Sequence, residues 1–74
     1  MKIIYFIETV DITVRTHFLR VHLSISSKKY EAIARVNIDN PKCRKLIWKG
    51  ERPNKLTEDA EKAIKEECVR QAIC

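Results

Sequence analysis

Two alternating runs dominate the pattern of apolar and polar positions. Tyr30, Ala32, Ala34, Val36 and Ile38 take every second place between Glu31, Ile33, Arg35 and Asn37. A strand with one buried face repeats with a period of two, so residues 30–38 read as the clearest strand. Residues 12–25 carry a longer alternation whose phase changes. Ile12, Val14, Thr16 and Phe18 hold even positions, then Leu19, Val21, Leu23 and Ile25 hold odd ones. No strand keeps one face buried through such a change without inserting a residue, so a β-bulge or break is expected near 16–19.

Residues 2–10 are apolar on both parities, with Ile3, Tyr5 and Ile7 against Ile4, Phe6 and Val10. That suits a strand covered on both faces or lying in the middle of a sheet. Residues 43–49 read as a last short strand, with Leu46 and Trp48 inward and Lys45, Ile47 and Lys49 outward. Ser26-Ser27-Lys28-Lys29 and Asp39-Asn40-Pro41-Lys42 supply the turns between strands.

The period then lengthens. Ala60, Ala63, Ile64, Cys68 and Ala72 recur at three- and four-residue intervals, which predicts a helix over about 57–72 with a narrow stripe of small residues. Thr57 is suited to the N-cap, and Glu58, Asp59 and Glu61 follow where the helix dipole favours negative charge. The predicted fold is α+β: an antiparallel sheet of three to four strands with one C-terminal helix packed on one face, in β-β-β-β-α order. Residues 1–74 make a single compact domain. Ala32 and Ala34 on the sheet would let a helix bearing Ala60 and Ala63 approach closely.

Composition narrows the functional classes. The opening apolar run is five residues long before Glu8, with no small-residue cleavage site after it, and is far short of the roughly 20 residues of a membrane span. The expectation is an intracellular chain without membrane contact. Cys43, Cys68 and Cys74 show no CxxC spacing and cannot all pair, so free thiols in a reducing compartment are expected. Lys42, Arg44 and Lys45 beside Cys43 should favour its thiolate and make it the most reactive of the three. His17 and His22 lack any recurrent ligand spacing with these cysteines, which argues for ordinary strand histidines, no metal and no cofactor. A single Gly leaves no Gly-rich phosphate loop, and no catalytic arrangement is legible.

Charge points toward binding. Residues 1–55 hold twelve Lys/Arg against five Asp/Glu, whereas residues 56–74 hold three against five. The acidic part is accounted for by helix capping, so the positive excess belongs to the sheet. On the face away from the helix the alternation presents Arg20, His22, Arg35, Lys45 and Lys49 around Ile33 and Ile47. Lys28, Lys29, Lys42 and Arg44 extend the field at the turns. Cations at this density can neutralise phosphates, with counterion release. Phe18, Tyr30 and Trp48 fall on the inward parity, which disfavours base stacking.

The leading expectation is a non-catalytic protein whose basic sheet face contacts nucleic acid mainly through the backbone. The alternative is a small protein-interaction or inhibitor module, of the kind met among viral and phage accessory proteins. Such a module would dock its Ile33/Ile47 patch on an acidic protein surface and block a host complex, for example a nucleic-acid-handling or defence complex. A homodimer through this face or an edge strand is compatible with both.

Overall fold

Four strands and one helix follow one another along the chain: β1 (Ile3–Ile12), β2 (Thr16–Ile25), β3 (Lys28–Asn37), β4 (Leu46–Trp48) and α1 (Glu58–Ile73). The computed structural model describes residues 2–43 and 45–73, so the readings placed on Arg44 and Cys74 lie outside the described residues. The strands form one antiparallel sheet in the order β1-β2-β3-β4, and the helix lies across one of its faces. This is the α+β arrangement, in β-β-β-β-α order, that the alternation predicts.

The covered face is built from the strongest alternation in the sequence. Leu19, Val21, Leu23 and Ile25 of β2 lie beside Ala32, Ala34 and Val36 of β3, all buried. Leu46 extends the layer into β4, and Leu56 closes it from the loop before the helix. Each fully buried Leu or Val in this layer is worth about 1.5–3 kcal/mol of transfer free energy. Ile64, Cys68 and Ala72 face it from α1, one helical turn apart. Small side chains at Ala32 and Ala34 bring the helix near the sheet. Ala60 joins this stripe, but Ala63 is exposed, in contrast to the expected Ala63 contact. Successive helical residues are about 100° apart, so the four-residue series through Ile64 leaves its neighbour Ala63 off the seam.

Local chemistry accounts for the ends of the elements. Ser26 and Ser27 both have positive φ, 51° and 69°, as a two-residue type I′ hairpin turn requires. The turn pairs Ile25 with Lys28, so β3 begins two residues earlier than the alternation alone suggests. Gly50, with φ 87°, takes the chain out of β4. Arg52 then ties the loop to the helix, donating to the Pro53 and Leu56 carbonyls at 3.3 Å and to Glu61 Oε2 at 2.7 Å. Thr57 caps α1: its Oγ1 accepts from the Ala60 amide at 3.1 Å.

The expected break at 16–19 is corrected. β2 pairs with β3 from Thr16 to Ile25 without interruption. The irregularity lies across the ladder in β1, where Thr9 opposes Leu19 and Asp11 opposes Phe18, leaving Val10 as the extra residue. Ile12 belongs to β1, and Val14 sits in the connecting turn, 93% exposed. The Thr13 amide and hydroxyl both donate to the Thr16 carbonyl, at 2.8 and 3.1 Å, which closes that turn. β1 is also corrected from a covered or central strand to an edge strand, with Ile4, Phe6, Val10 and Ile12 exposed. α1 spans β2 and β3 and leaves most of β1 bare.

Candidate functional site

The ladder registers determine what the open face of the sheet displays, because directly opposed residues share a face. Three rows occupy its middle, between the Ile4/Ser24/Lys29 row and the Thr16/Asn37 pair at its ends. Phe6, His22 and Glu31 form one, with the Lys49 amide donating to the Glu31 carbonyl at 2.9 Å. Glu8, Arg20, Ile33 and Ile47 form the second. Asp11, Phe18 and Arg35 form the third, which points toward Lys45. Arg20, His22, Arg35, Ile33 and Ile47 thus share this face, and Ile33 opposes Ile47 directly. Ile47 is 50% exposed and Ile33 less so.

The middle of the face is an ion-pair lattice. Glu8 and Glu31 flank Arg20 and His22 from the two neighbouring strands. Arg20 Nη1 lies 3.6 Å from Glu8 Oε1, and Arg20 Nε lies 3.8 Å from Glu31 Oε2. His22 Nε2 hydrogen-bonds Glu8 Oε1 at 2.9 Å, while its Nδ1 is 3.9 Å from Glu31 Oε1. Lys49 Nζ reaches Glu31 Oε2 at 3.8 Å. Phe6 stacks on the His22 ring, centroids 4.4 Å apart at 12°. Arg20 and Lys49 are therefore largely balanced by two carboxylates within the same sheet, and His22 hydrogen-bonds one of them. Exposed pairs like these contribute about 0–1 kcal/mol each to stability, but they lower the field available to an anion.

Uncompensated charge gathers most densely at one end of the face, while Lys29 stands opposite Ser24 at the other. Arg35, Lys42 and Lys45 have no ion pair among the described residues and line a cleft of about 620 Å³. Phe18, Thr16, Asn37, Asn40 and Ile47 complete its lining. Phe18 is thus on the open face, contrary to the inward position expected from the phase change. Its ring stands directly across from Arg35. Tyr30 and Trp48 do lie on the covered side, partly buried against the core. Lys28 and Lys29 are at the other end of β3 from this cleft: seven residues separate Lys28 from Arg35, about 24 Å of strand. The Lys28 ammonium instead sits 5.4 Å from the Tyr30 ring centroid.

Phe18, the two glutamates and the cleft residues Thr16, Asn37 and Asn40 are the functional-site residues that sequence reasoning missed. The signal for Phe18 was present in the run Phe18, Arg20, His22 and Ser24, which is a second clean alternation once the strand starts at Thr16. Glu8 could be assigned to this face only with the β1–β2 register in hand.

Cys43 is corrected as well. It is half-buried, and burial raises its pKa above 9.0; Lys65 opposes this and Glu61 adds to it. Lys42 and Lys45, beside it in the chain, are not among these causes. Cys68 is fully buried and is pushed further, to about 12, by burial first and then by Cys43 and Glu67. His17 and His22 occupy opposite faces of β2, and no cluster of three His, Cys, Asp or Glu side chains suited to a metal gathers among the described residues. No described helix is long and apolar enough to cross a membrane. Comparison with protein-family models, with curated proteins and with solved structures finds no match to this chain.

Proposed function

We propose that this chain is a non-catalytic nucleic-acid-binding protein that holds the sugar-phosphate backbone in the Arg35/Lys42/Lys45 cleft. The observation that supports this reading most is the gathering of three cations without ion-pair partners among the described residues, next to the Phe18 ring. In the middle of the face Glu8 and Glu31 offset Arg20 and Lys49, and Lys29 stands at the far end without an ion pair among the described residues, so the densest free charge for an anion is at the cleft. A ring beside cations suits a single strand better than a duplex, since an unstacked base can lie on it while the phosphates meet the charges. Asn37, Asn40 and Thr16 add hydrogen-bonding groups without demanding a particular base.

Fluorescence anisotropy against single-stranded and duplex oligonucleotides, over a range of salt, tests this. Three phosphate contacts at about 0.7 each predict a slope near −2 for log affinity against log salt with a single strand. Arg35→Ala should lower that slope by about 0.7, and Phe18→Ala should weaken single-strand binding more than duplex binding. No binding at low salt, or affinity indifferent to salt, would overturn the reading.

The half-exposed Ile47 opposite Ile33 favours a second reading, in which this patch docks on and blocks a protein complex. Its rim of Arg35 and Lys45 would then face acidic side chains. Under that reading Ile47→Asp abolishes capture of the partner while oligonucleotide binding persists.

A further inference from the structure

The free edge of the sheet is a ten-residue strand with exposed apolar side chains, regular from Ile3 to Thr9 before the Val10 bulge. β1 contains no proline and no lysine between Ile3 and Ile12, and no element pairs with its outer side. We propose that β1 pairs antiparallel with β1 of a second copy, centred on Tyr5, to give one continuous eight-stranded sheet.

The backbone directions follow from the hairpin turn. In a two-residue hairpin the flanking pair, here Ile25 and Lys28, is hydrogen-bonded. Odd residues of β2 therefore bond β3, and even residues bond β1. Even residues of β1 are used in turn, and the N–H and C=O groups of Ile3, Tyr5 and Ile7 point outward along the edge. Gln71 Nε2 donates to the Ile7 carbonyl at 3.1 Å, which fits an outward-facing group. That oxygen has a second lone pair for another donor.

A two-fold axis perpendicular to the sheet keeps the open faces of both copies on one side, so even residues must oppose even ones. Centring on Tyr5 sets Ile3 against Ile7, Ile4 against Phe6 and Tyr5 against itself. It also sets Lys2 against Glu8 of the second copy, twice by symmetry. Lys2 has no ion pair among the described residues, and the exposed Glu8 meets Arg20 and His22 through Oε1, which leaves Oε2 without an ion pair among the described residues. Neighbouring registers lose this match: centring on Phe6 sets Ile4 against Glu8, and centring on Ile7 sets Phe6 against Glu8. The chosen register exchanges about six backbone hydrogen bonds, two for each outward-facing pair. It ends at Glu8, just before the Val10 bulge interrupts the regular edge. The pairing is independent of what the cationic cleft binds.

Sedimentation velocity of the full chain in reducing buffer, up to about 100 μM, reads the outcome. Wild type is expected to show a monomer–dimer equilibrium. Lys2→Glu and Glu8→Lys, which create like-charge pairs at both symmetric positions, should each weaken the dimer at least about tenfold. The double exchange Lys2→Glu/Glu8→Lys should restore it. Circular dichroism of each variant establishes that the monomer is folded. A wild type that stays monomeric, or single variants that dimerise as tightly as wild type, overturns the proposal. A double exchange that fails to rescue overturns the register.

Discussion

Alkaline pH should weaken this fold chiefly through the Cys68 thiol. Cys68 lies at the helix–sheet seam with no solvent exposure, and burial is the main reason its pKa rises from 9.0 to about 12. Below pH 9 the folded and unfolded chains both carry the proton, and the thiol has no effect on the balance. Above it the unfolded chain releases its proton while the folded chain retains it, so stability falls as pH rises toward the folded value. The slope is about 1.4 kcal/mol per pH unit. From pH 9 to pH 10.5 the loss reaches about 2 kcal/mol, a large share of the ~5 kcal/mol that a domain near the low end of the usual range possesses. Urea unfolding of wild type and Cys68→Ala at pH 8 and pH 10.5, followed by circular dichroism under reducing conditions, isolates the effect. The substitution lowers stability at both pH values through lost packing, and lysine, tyrosine and Cys43 titrations are common to both chains. The difference between the two pH-dependent losses is the quantity to read. Equal losses in wild type and Cys68→Ala would refute the reasoning.

Two further outcomes follow from the turns and caps. Replacing Ser26-Ser27 by Asn-Gly should stabilise the domain by about 1–2 kcal/mol, because both positions have positive φ and side chains other than Asn or Gly resist that region. Thermal unfolding should rise by several degrees, and an unchanged or lower midpoint would count against the I′ assignment. Thr57→Ala should cost about 1 kcal/mol in urea unfolding by removing the acceptor for the Ala60 amide.

The covered face was legible because burial itself imposes its period. Leu19 to Ile25 and Ala32 to Val36 alternate with little interruption, and the sheet uses them with that phase. The outward placement of Ile33, Arg35, Ile47 and Lys49 follows by parity alone. The strand boundary was not legible, since Ile12 and Val14 continue the alternation although Val14 stands in solvent. A bulge is a property of two strands in register, and the phase change in β2 located it one strand away from its true place. The same limit hid the pairing of Glu8 with Arg20 and His22. Cys43 failed for a related reason: burial is the main cause of its shift, and the charges that act on it are Lys65 and Glu61 on the helix, not the lysines beside it in the chain.

The strand order also bears on how the chain acquires its structure. Each strand pairs with its neighbour in sequence, so no long loop must close before strand pairing is rewarded, and such local topologies form rapidly. The β2–β3 hairpin, joined by two residues, can assemble on the microsecond scale while the C-terminal segment is still being synthesised. Its covering helix comes last. During that interval Leu19, Val21, Leu23 and Ile25 stand uncovered on a ready-made sheet, which makes the nascent chain, before α1 docks, the form most exposed to aggregation and to chaperone capture.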